Sequence, residues 1–169
     1  MTTPASSDNA KRPRTILAGP YGHPFHPILV TVPIGAWVAS LVFDIASKLT
    51  DDKAAMFAEG AYWLIGIGVA GALLAAIFGL LDLLTIPRGT AAFKTGLMHM
   101  GLNLAVVAIF VVNCLVREAD GRESVEPLHL ILTVIALALL GASGWLGGKL
   151  AYRYGVRVAD ENTQAEGFR

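Results

Sequence analysis

Four long apolar stretches dominate this sequence, at residues 28–46, 61–86, 97–116 and 128–150. The length of each stretch is close to that of a helix that crosses the hydrocarbon core of a bilayer, which needs about 20 residues. None of them alternates with a period of two, and an open sheet would leave backbone amides unpaired in lipid. The sequence therefore predicts an all-α fold with four membrane-spanning helices.

The composition agrees with membrane lipid as the surroundings of the chain. Hydrophobic residues make up 54% of the 169 residues and charged residues only 15%, which is too apolar for an ordinary soluble domain. Basic and acidic residues number 13 each, so there is no basic surface for nucleic acid. The single cysteine, Cys114, excludes an intramolecular disulfide or a multi-cysteine metal site.

Basic residues predict the orientation, because Lys and Arg near span ends stay on the cytoplasmic side. Nine lie in the two tails and the second loop, against four in the other loops. With short loops, this predicts an up-down-up-down four-helix bundle of a bacterial inner membrane, with both termini in the cytoplasm. The transmembrane domain is expected at 21–157, between disordered tails at 1–20 and 158–169. The two groups are Lys11, Arg12, Arg14, Arg88, Lys94, Lys149, Arg153, Arg157 and Arg169, and Lys48, Lys53, Arg117 and Arg122.

Small residues recur at helical spacing in two of the spans. Small side chains let helix backbones approach closely, so we expect these faces to form helix contacts. The residues are Gly71, Ala75 and Gly79 in the second span, and Gly141, Gly144 and Gly148 in the fourth.

Polar side chains at membrane depth are costly and are candidates for function. If successive spans alternate in direction, one group of polar residues lies near the cytoplasmic surface of the membrane and a smaller group lies near the outer surface. Two prolines hold the histidines of Gly22-His23-Pro24-Phe25-His26-Pro27 on a rigid turn, as a ligand pair requires. The first group is His23, His26, Asp82, His99 and Asn103, and the second is Asp44, Glu126 and His129.

The cytoplasmic group permits three interpretations. One b-type haem would take His99 and either His26 or His23 as axial ligands. A zinc, iron or manganese ion would instead take His23, His26, Asp82 and His99. In the third, His99 bonds Asp82 or a carbonyl, and Asp82 pairs with Arg88, purely to fix the helix ends.

Several blocks of the chain resemble the bacterial membrane-protein family catalogued as domain of unknown function 2231. The resemblance covers about residues 21–158 and implies a four-span module, sometimes joined to or encoded near Rieske iron–sulfur or cytochrome partners. The chain departs from that pattern at Thr31 and Tyr154, which weakens any ligand role at these positions. The blocks are Gly22 to Pro27, Pro33 to Gly35, Gly79 to Leu84, Ile86 to Thr90, His99 with Asn103, Gly144 to Gly148, and Tyr152 to Val156.

The leading hypothesis is a membrane protein that binds a redox center, most simply one b-type haem held by His26 and His99. Asn103 and Asp82 would tune the reduction potential of the haem, and quinone or a redox protein would exchange electrons with it. The alternative is a non-enzymatic accessory or scaffold subunit of a membrane complex. The sequence has no nucleophile beside a base, phosphate loop or zinc-protease helix, so a hydrolase or kinase is not expected.

Overall fold

The computed structural model describes residues 4–169, and their side chains from residue 8 onward. All regular structure in this range is helical, and no strand occurs between residues 4 and 169. The α-helices are α1 (Pro4–Lys11), α2 (His26–Leu29), α3 (Thr31–Leu49), α4 (Ala54–Leu83), α5 (Ala91–Ala119), α6 (Pro127–Gly148) and α7 (Glu161–Glu166). A 3-10 turn at Ile16–Ala18 and a π-helical turn at Lys149–Arg153 complete them.

Four helical segments are long and apolar enough to cross a membrane, which confirms the all-α prediction and the number of spans. They are His26–Leu49, Ala54–Leu83, Ala91–Ala119 and Pro127–Arg153. Three of them extend beyond the predicted apolar stretch at both ends, because backbone hydrogen bonding continues into the flanking residues. The second starts earlier than predicted, at Ala54, but ends at Leu83, before the predicted end at residue 86. The third, for example, ends only before a turn in which Gly121 and Arg122 have positive φ.

Large apolar side chains are exposed along these segments, and polar side chains are among the buried ones. Large apolar side chains are about half exposed on every segment, such as Val38, Ile77, Leu104 and Val134. Several fully buried side chains, such as that of Asn113, are polar. Apolar groups outside and polar groups inside are the arrangement that lipid favours, because hydrocarbon offers a polar group no hydrogen-bond partner.

The chain divides into two compact units. The terminal unit comprises Met1–Ile28, Ala75–Gly101 and Ser143–Arg169, and the central unit comprises Leu29–Leu74 and Leu102–Ala142. The terminal unit thus combines the start of the first candidate span, the end of α4, the start of α5 and the end of α6.

An aromatic pair forms the core of the central unit. Trp37 on α3 stacks on Phe110 of α5, with ring centroids 4.4 Å apart and planes 14° apart. Ile65, Val106 and Ala136 surround the pair and are fully buried. The backbone of Gly68 lies directly against the Trp37 indole, so this approach requires a residue without a side chain.

The terminal segments contain short helices in their described part. The Tyr21 hydroxyl donates to Asp160 Oδ2 at 2.7 Å and accepts from the Asp160 amide at 2.8 Å. This hydroxyl, together with the Thr163 and Asn162 amides that α7 offers its N-cap, lowers the pKa of Asp160 to about 2. The disorder expected for residues 1–20 and 158–169 stays a prediction.

The small-residue pattern corresponds to close contacts on α4 but not on α6. A Cβ atom built at Gly71 would lie 2.9 Å from Val32 Cγ1, and one at Gly79 would lie 2.9 Å from His26 Cε1. At Gly141 and Gly144 it would meet no described atom within 4 Å. The expectation of close packing was therefore wrong for those two positions, and the closely packed glycine of α6 is Gly147.

Candidate functional site

Two histidines come together in the terminal unit. The ring of His26, the first residue of α2, has its centroid 6.2 Å from that of His99 on α5, and the two planes are at 88°. The two histidines are 73 positions apart in the sequence, but their predicted depth in the membrane led us to expect them together. His26 is further fixed by its neighbour Phe25, whose ring packs edge-on against Phe78 with centroids 6.1 Å apart.

A backbone carbonyl orients each of the two rings. His26 Nδ1 lies 2.9 Å from the carbonyl oxygen of Ala75, and His99 Nδ1 lies 2.8 Å from that of Ser143. A carbonyl oxygen only accepts, so Nδ1 carries the proton in both rings. The Ser143 hydroxyl oxygen also lies 3.0 Å from His99 Nδ1, and this hydroxyl donates to the His99 carbonyl oxygen at 3.2 Å. The lone pair of each neutral imidazole is therefore on Nε2. This is the tautomer with which a histidine binds a metal through Nε2, and the carbonyl bond strengthens such a ligand.

A glycine lies against each ring. The Gly79 Cβ position is 2.9 Å from His26 Cε1, and the Gly147 Cβ position is 3.2 Å from His99 Cε1. Any side chain at Gly79 would displace the His26 ring, and one at Gly147 would crowd His99. The backbones of α4 and α6 therefore pack directly against the imidazole pair, and the two glycine positions leave little room even for a methyl group. We call this arrangement the glycine cradle.

The other residues predicted for this site have different surroundings. His23 is exposed, and its Nδ1 lies 3.4 Å from the carbonyl oxygen of Tyr21. Asn103 is half-buried, one helical turn after His99 on α5. Asp82 bonds an arginine instead of an imidazole. Within residues 4–169, no three His, Cys, Asp or Glu side chains are grouped to hold a metal ion, so the expected set His23, His26, Asp82 and His99 is not assembled.

The arginine that pairs with Asp82 is Arg157. Its Nε donates to Asp82 Oδ1 at 2.7 Å, and Nη2 donates to the carbonyl oxygens of Ala18 at 2.9 Å and Gly19 at 3.1 Å. The expectation that Asp82 pairs with Arg88 was wrong. Arg157 follows Gly155, and both adopt positive φ, which turns the chain back toward the end of α4.

The model of one protein family matches residues 22–160. That family is described as "Predicted membrane protein (DUF2231)". The chain belongs to this family. Among curated proteins and solved structures, none matches the chain. The matched region includes both histidines of the pair, both cradling glycines, and the Asp82–Arg157 ion pair.

The central unit of this DUF2231 protein contains a second polar cluster, of which the sequence indicated only Asp44 and, at its edge, His129. Asp44 on α3 accepts from Arg117 Nη2 of α5 at 2.7 Å, and both side chains are at most 1% exposed. Arg117 Nε donates to Asn113 Oδ1 at 2.9 Å. Asn113 Nδ2 in turn donates to Thr133 Oγ1 of α6 at 2.9 Å. The cluster therefore connects three helices.

His129, the third residue of α6, lies at the edge of this cluster, and both of its ring nitrogens make hydrogen bonds. The Glu126 amide donates to His129 Nδ1 at 3.0 Å, and His129 Nε2 donates to Asp120 Oδ2 at 3.0 Å. The His129 side chain thus accepts a hydrogen bond from the amide of Glu126, the residue that precedes the helix. A Glu or Gln at the third helical position makes the same contact in a capping box. The DUF2231 chain uses this histidine to fix a helix start.

Proposed function

We propose that this protein is a multi-pass protein of a bacterial inner membrane that binds one b-type haem between His26 and His99. The observation that carries the proposal is the geometry of the imidazole pair. An iron held at about 2 Å by one nitrogen of each ring would place the two ring centres about 6 Å apart. The observed 6.2 Å fits this requirement.

The arrangement supports haem over a bare metal ion. A haem needs only two protein ligands, whereas zinc, iron or manganese in a protein site takes three or more. The described residues supply the first arrangement and not the second. Gly79 and Gly147 let the backbones of α4 and α6 pack directly against the two rings, which holds both imidazoles in place.

A bound haem would supply one-electron chemistry, and the protein would hold and tune it. The carbonyls of Ala75 and Ser143 orient the rings. We expect Asp82 and Asn103 to modify the electrostatics around a bound haem. The electron partners we propose are quinone or a Rieske or cytochrome protein.

The proposed membrane arrangement is an up-down-up-down bundle with both termini in the cytoplasm. Its support is the makeup of the terminal unit, which combines alternating starts and ends of successive spans. Antiparallel neighbours joined by short loops produce this combination. The excess of Lys and Arg in the tails and second loop supports a cytoplasmic location for that unit.

A second candidate function is an accessory or scaffold subunit without a cofactor. It is favoured by the ion pairs Asp82–Arg157 and Asp44–Arg117, each of which joins distant parts of the chain. On this view the His26 and His99 bonds to carbonyls only fix helices.

The deciding experiment is spectroscopy on protein purified in detergent from haem-supplied cells. We expect the visible spectrum of a six-coordinate low-spin haem, with one haem and no other metal per chain. His26→Ala and His99→Ala should lose it, while His23→Ala and His129→Ala should keep it. Ligand planes at 88° would leave two iron d orbitals nearly degenerate, so electron paramagnetic resonance should show one strongly anisotropic low-spin signal. A wild-type protein without haem, or full haem in His99→Ala, would leave the scaffold function in its place.

A further inference from the structure

The end of the fourth candidate span borders a cavity of about 410 Å³ in the terminal unit. Tyr152 and Arg153, from the π-helical turn that ends the span, line this cavity together with Lys11, the last residue of α1. Short π-helical turns frequently occur at functional sites. The cavity is separate from the histidine pair, since neither His26 nor His99 lines it.

The fold holds the Lys11 ammonium at this cavity. The Arg157 amide donates to the carbonyl oxygen of Ala10 at 2.9 Å, so the end of α1 lies against the chain that follows the fourth span. A Cβ atom built at Gly155 would lie 3.2 Å from Lys11 Nζ, so the ammonium lies directly over the Gly155 backbone. Gly155 is itself a lining residue of the cavity. The two ends of the described chain therefore build one site.

Exposed aromatic side chains mark this end of the span as the level of lipid head groups. Tyr152 is 92% exposed and Trp145 is 79% exposed, both near the end of the fourth candidate span. Trp and Tyr are enriched where a membrane protein meets the boundary between lipid and water. Because Tyr152 also lines the cavity, the cavity borders the surface at which phospholipid head groups lie.

The charges around the cavity favour an anion. Lys11 and Arg153 contribute two positive charges, and Glu161 contributes one negative charge, among the described residues that line it. The excess of one positive charge is local, because the formal net charge of the whole chain is zero. A further cation, Lys149, lies 5.6 Å from the ring centroid of Tyr154, another lining residue. A head group with a net charge of minus one would balance this excess, whereas a zwitterionic head group would not.

We infer that this cavity binds the head group of an anionic phospholipid, with Lys11 and Arg153 at its phosphate. Guanidinium and ammonium groups form charge-assisted hydrogen bonds with phosphate oxygens, and basic residues beside a span end attract anionic lipids. A soluble phosphate offers the same oxygens, but the exposed Tyr152 at the cavity favours a ligand that comes from the bilayer. The site does not depend on a cofactor between the two histidines.

The test measures lipid binding to full-length protein that has been purified and delipidated in detergent. Native mass spectrometry follows its titration with dioleoyl phosphatidylglycerol and with dioleoyl phosphatidylethanolamine, which has the same acyl chains and a zwitterionic head group. Wild type should bind one phosphatidylglycerol about tenfold or more tightly than phosphatidylethanolamine, because each basic side chain near the anionic head group adds several-fold to the affinity. Replacing Lys11 and Arg153 by Gln together should reduce this preference to about twofold or less.

The matched control replaces Arg14 and Lys94 by Gln. Both residues are exposed and belong to the terminal unit, but neither lines the cavity. This double variant loses the same two positive charges and should keep the wild-type preference. Arg153→Gln alone, at an exposed position where folding is not at risk, should already reduce the preference several-fold.

Equal affinity of wild type for the two lipids would overturn the inference. An equal loss of preference in the two double variants would also overturn it, because the total charge of the chain would then matter and the cavity would not. Inorganic phosphate in large excess should leave the bound phosphatidylglycerol in place. Complete displacement by phosphate would identify a site for a soluble anion and would contradict the assignment to lipid.

Discussion

Arg117 and Arg157 show how this chain keeps charge inside a membrane protein. Each is at most 3% exposed, and each donates at 2.7 Å to an aspartate far away in the sequence. Moving such charges out of water costs several kcal/mol per ion, so a buried arginine persists only with a close partner and further acceptors. Both arginines have them, because Arg117 also bonds Asn113 and Arg157 also bonds two carbonyls.

The Asp44–Arg117 pair gives a prediction at this scale. Asp44→Asn should lower the free energy of unfolding by about 3–5 kcal/mol, because it leaves the guanidinium of Arg117 buried and unpaired. Arg117→Gln should have a similar effect. The double variant should cost clearly less than the sum, since it leaves no uncompensated charge. Unfolding in mixed detergent and sodium dodecyl sulfate micelles measures all three.

Glu118 and Arg122 provide the control, as an ion pair at 3.3 Å whose side chains are 52% and 37% exposed. Glu118→Gln should change the unfolding free energy by only about 0–1 kcal/mol. Additive losses in the Asp44 and Arg117 variants would mean that the two side chains do not interact in the folded protein.

At the scale of the helices, Gly79 and Gly144 make a matched pair for testing the glycine cradle. Both lie inside long helices, where replacing Gly by Ala ordinarily stabilises by about 0.5–1 kcal/mol. A methyl group at Gly79 would lie 2.9 Å from His26 Cε1, whereas at Gly144 it would meet no described atom within 4 Å. Gly79→Ala should therefore destabilise by about 1–3 kcal/mol through overpacking, and Gly144→Ala should be neutral or stabilising. The thermal midpoint in detergent reports both.

This pair also tests the origin of the effect. His26→Ala removes the ring that the new methyl group would strike, so Gly79→Ala should become harmless in that background. Equal midpoints for the two single variants would contradict the close approach of α4 to His26.

The helices themselves were predictable from the sequence, since an apolar run of about 20 residues in a chain of this composition has few alternatives. Their ends were less so. Backbone hydrogen bonding continues past the last apolar residue until a turn stops it, as at Gly121. The packing role of Gly147 was missed because it depends on where His99 lies, and that information is not in the spacing of the glycines.

The histidine pair could be found from the sequence and the arginines could not. If successive spans alternate in direction, His26 and His99 lie at one level of the membrane whatever their exact packing. The predicted depth of the two residues was therefore enough to expect them together. Arg117 and Arg157 were counted as loop and tail charges, because an arginine just after an apolar run usually faces water. Only the folded chain shows that Arg117 lies inside α5, and that the turn after Gly155 brings Arg157 back to Asp82.

At the scale of the whole molecule, the orientation in the membrane is the property on which the proposed electron path depends. The two buried arginines are each neutralised by an aspartate, so neither acts as a topogenic charge in the folded protein. Arg117 is one of the four basic residues predicted for the outer side, and Arg157 is one of the nine predicted for the cytoplasmic side. Discounting both therefore leaves the predicted asymmetry in place.

We therefore expect a reporter fused after Arg169 to be cytoplasmic and one inserted beside Asp51 to be exported. Green fluorescent protein should fluoresce at the first site only, and alkaline phosphatase should be active at the second only. The charges of the second loop carry much of this expectation, so replacing Arg88 and Lys94 by Glu should give a mixed population in both assays. The control reverses Lys48 and Lys53 to Glu, which removes outer positive charge and should leave the orientation unchanged. Active phosphatase after Arg169 in the wild-type chain would mean that the bundle has the opposite orientation. The proposed haem would then exchange electrons with partners on the outer side of the membrane.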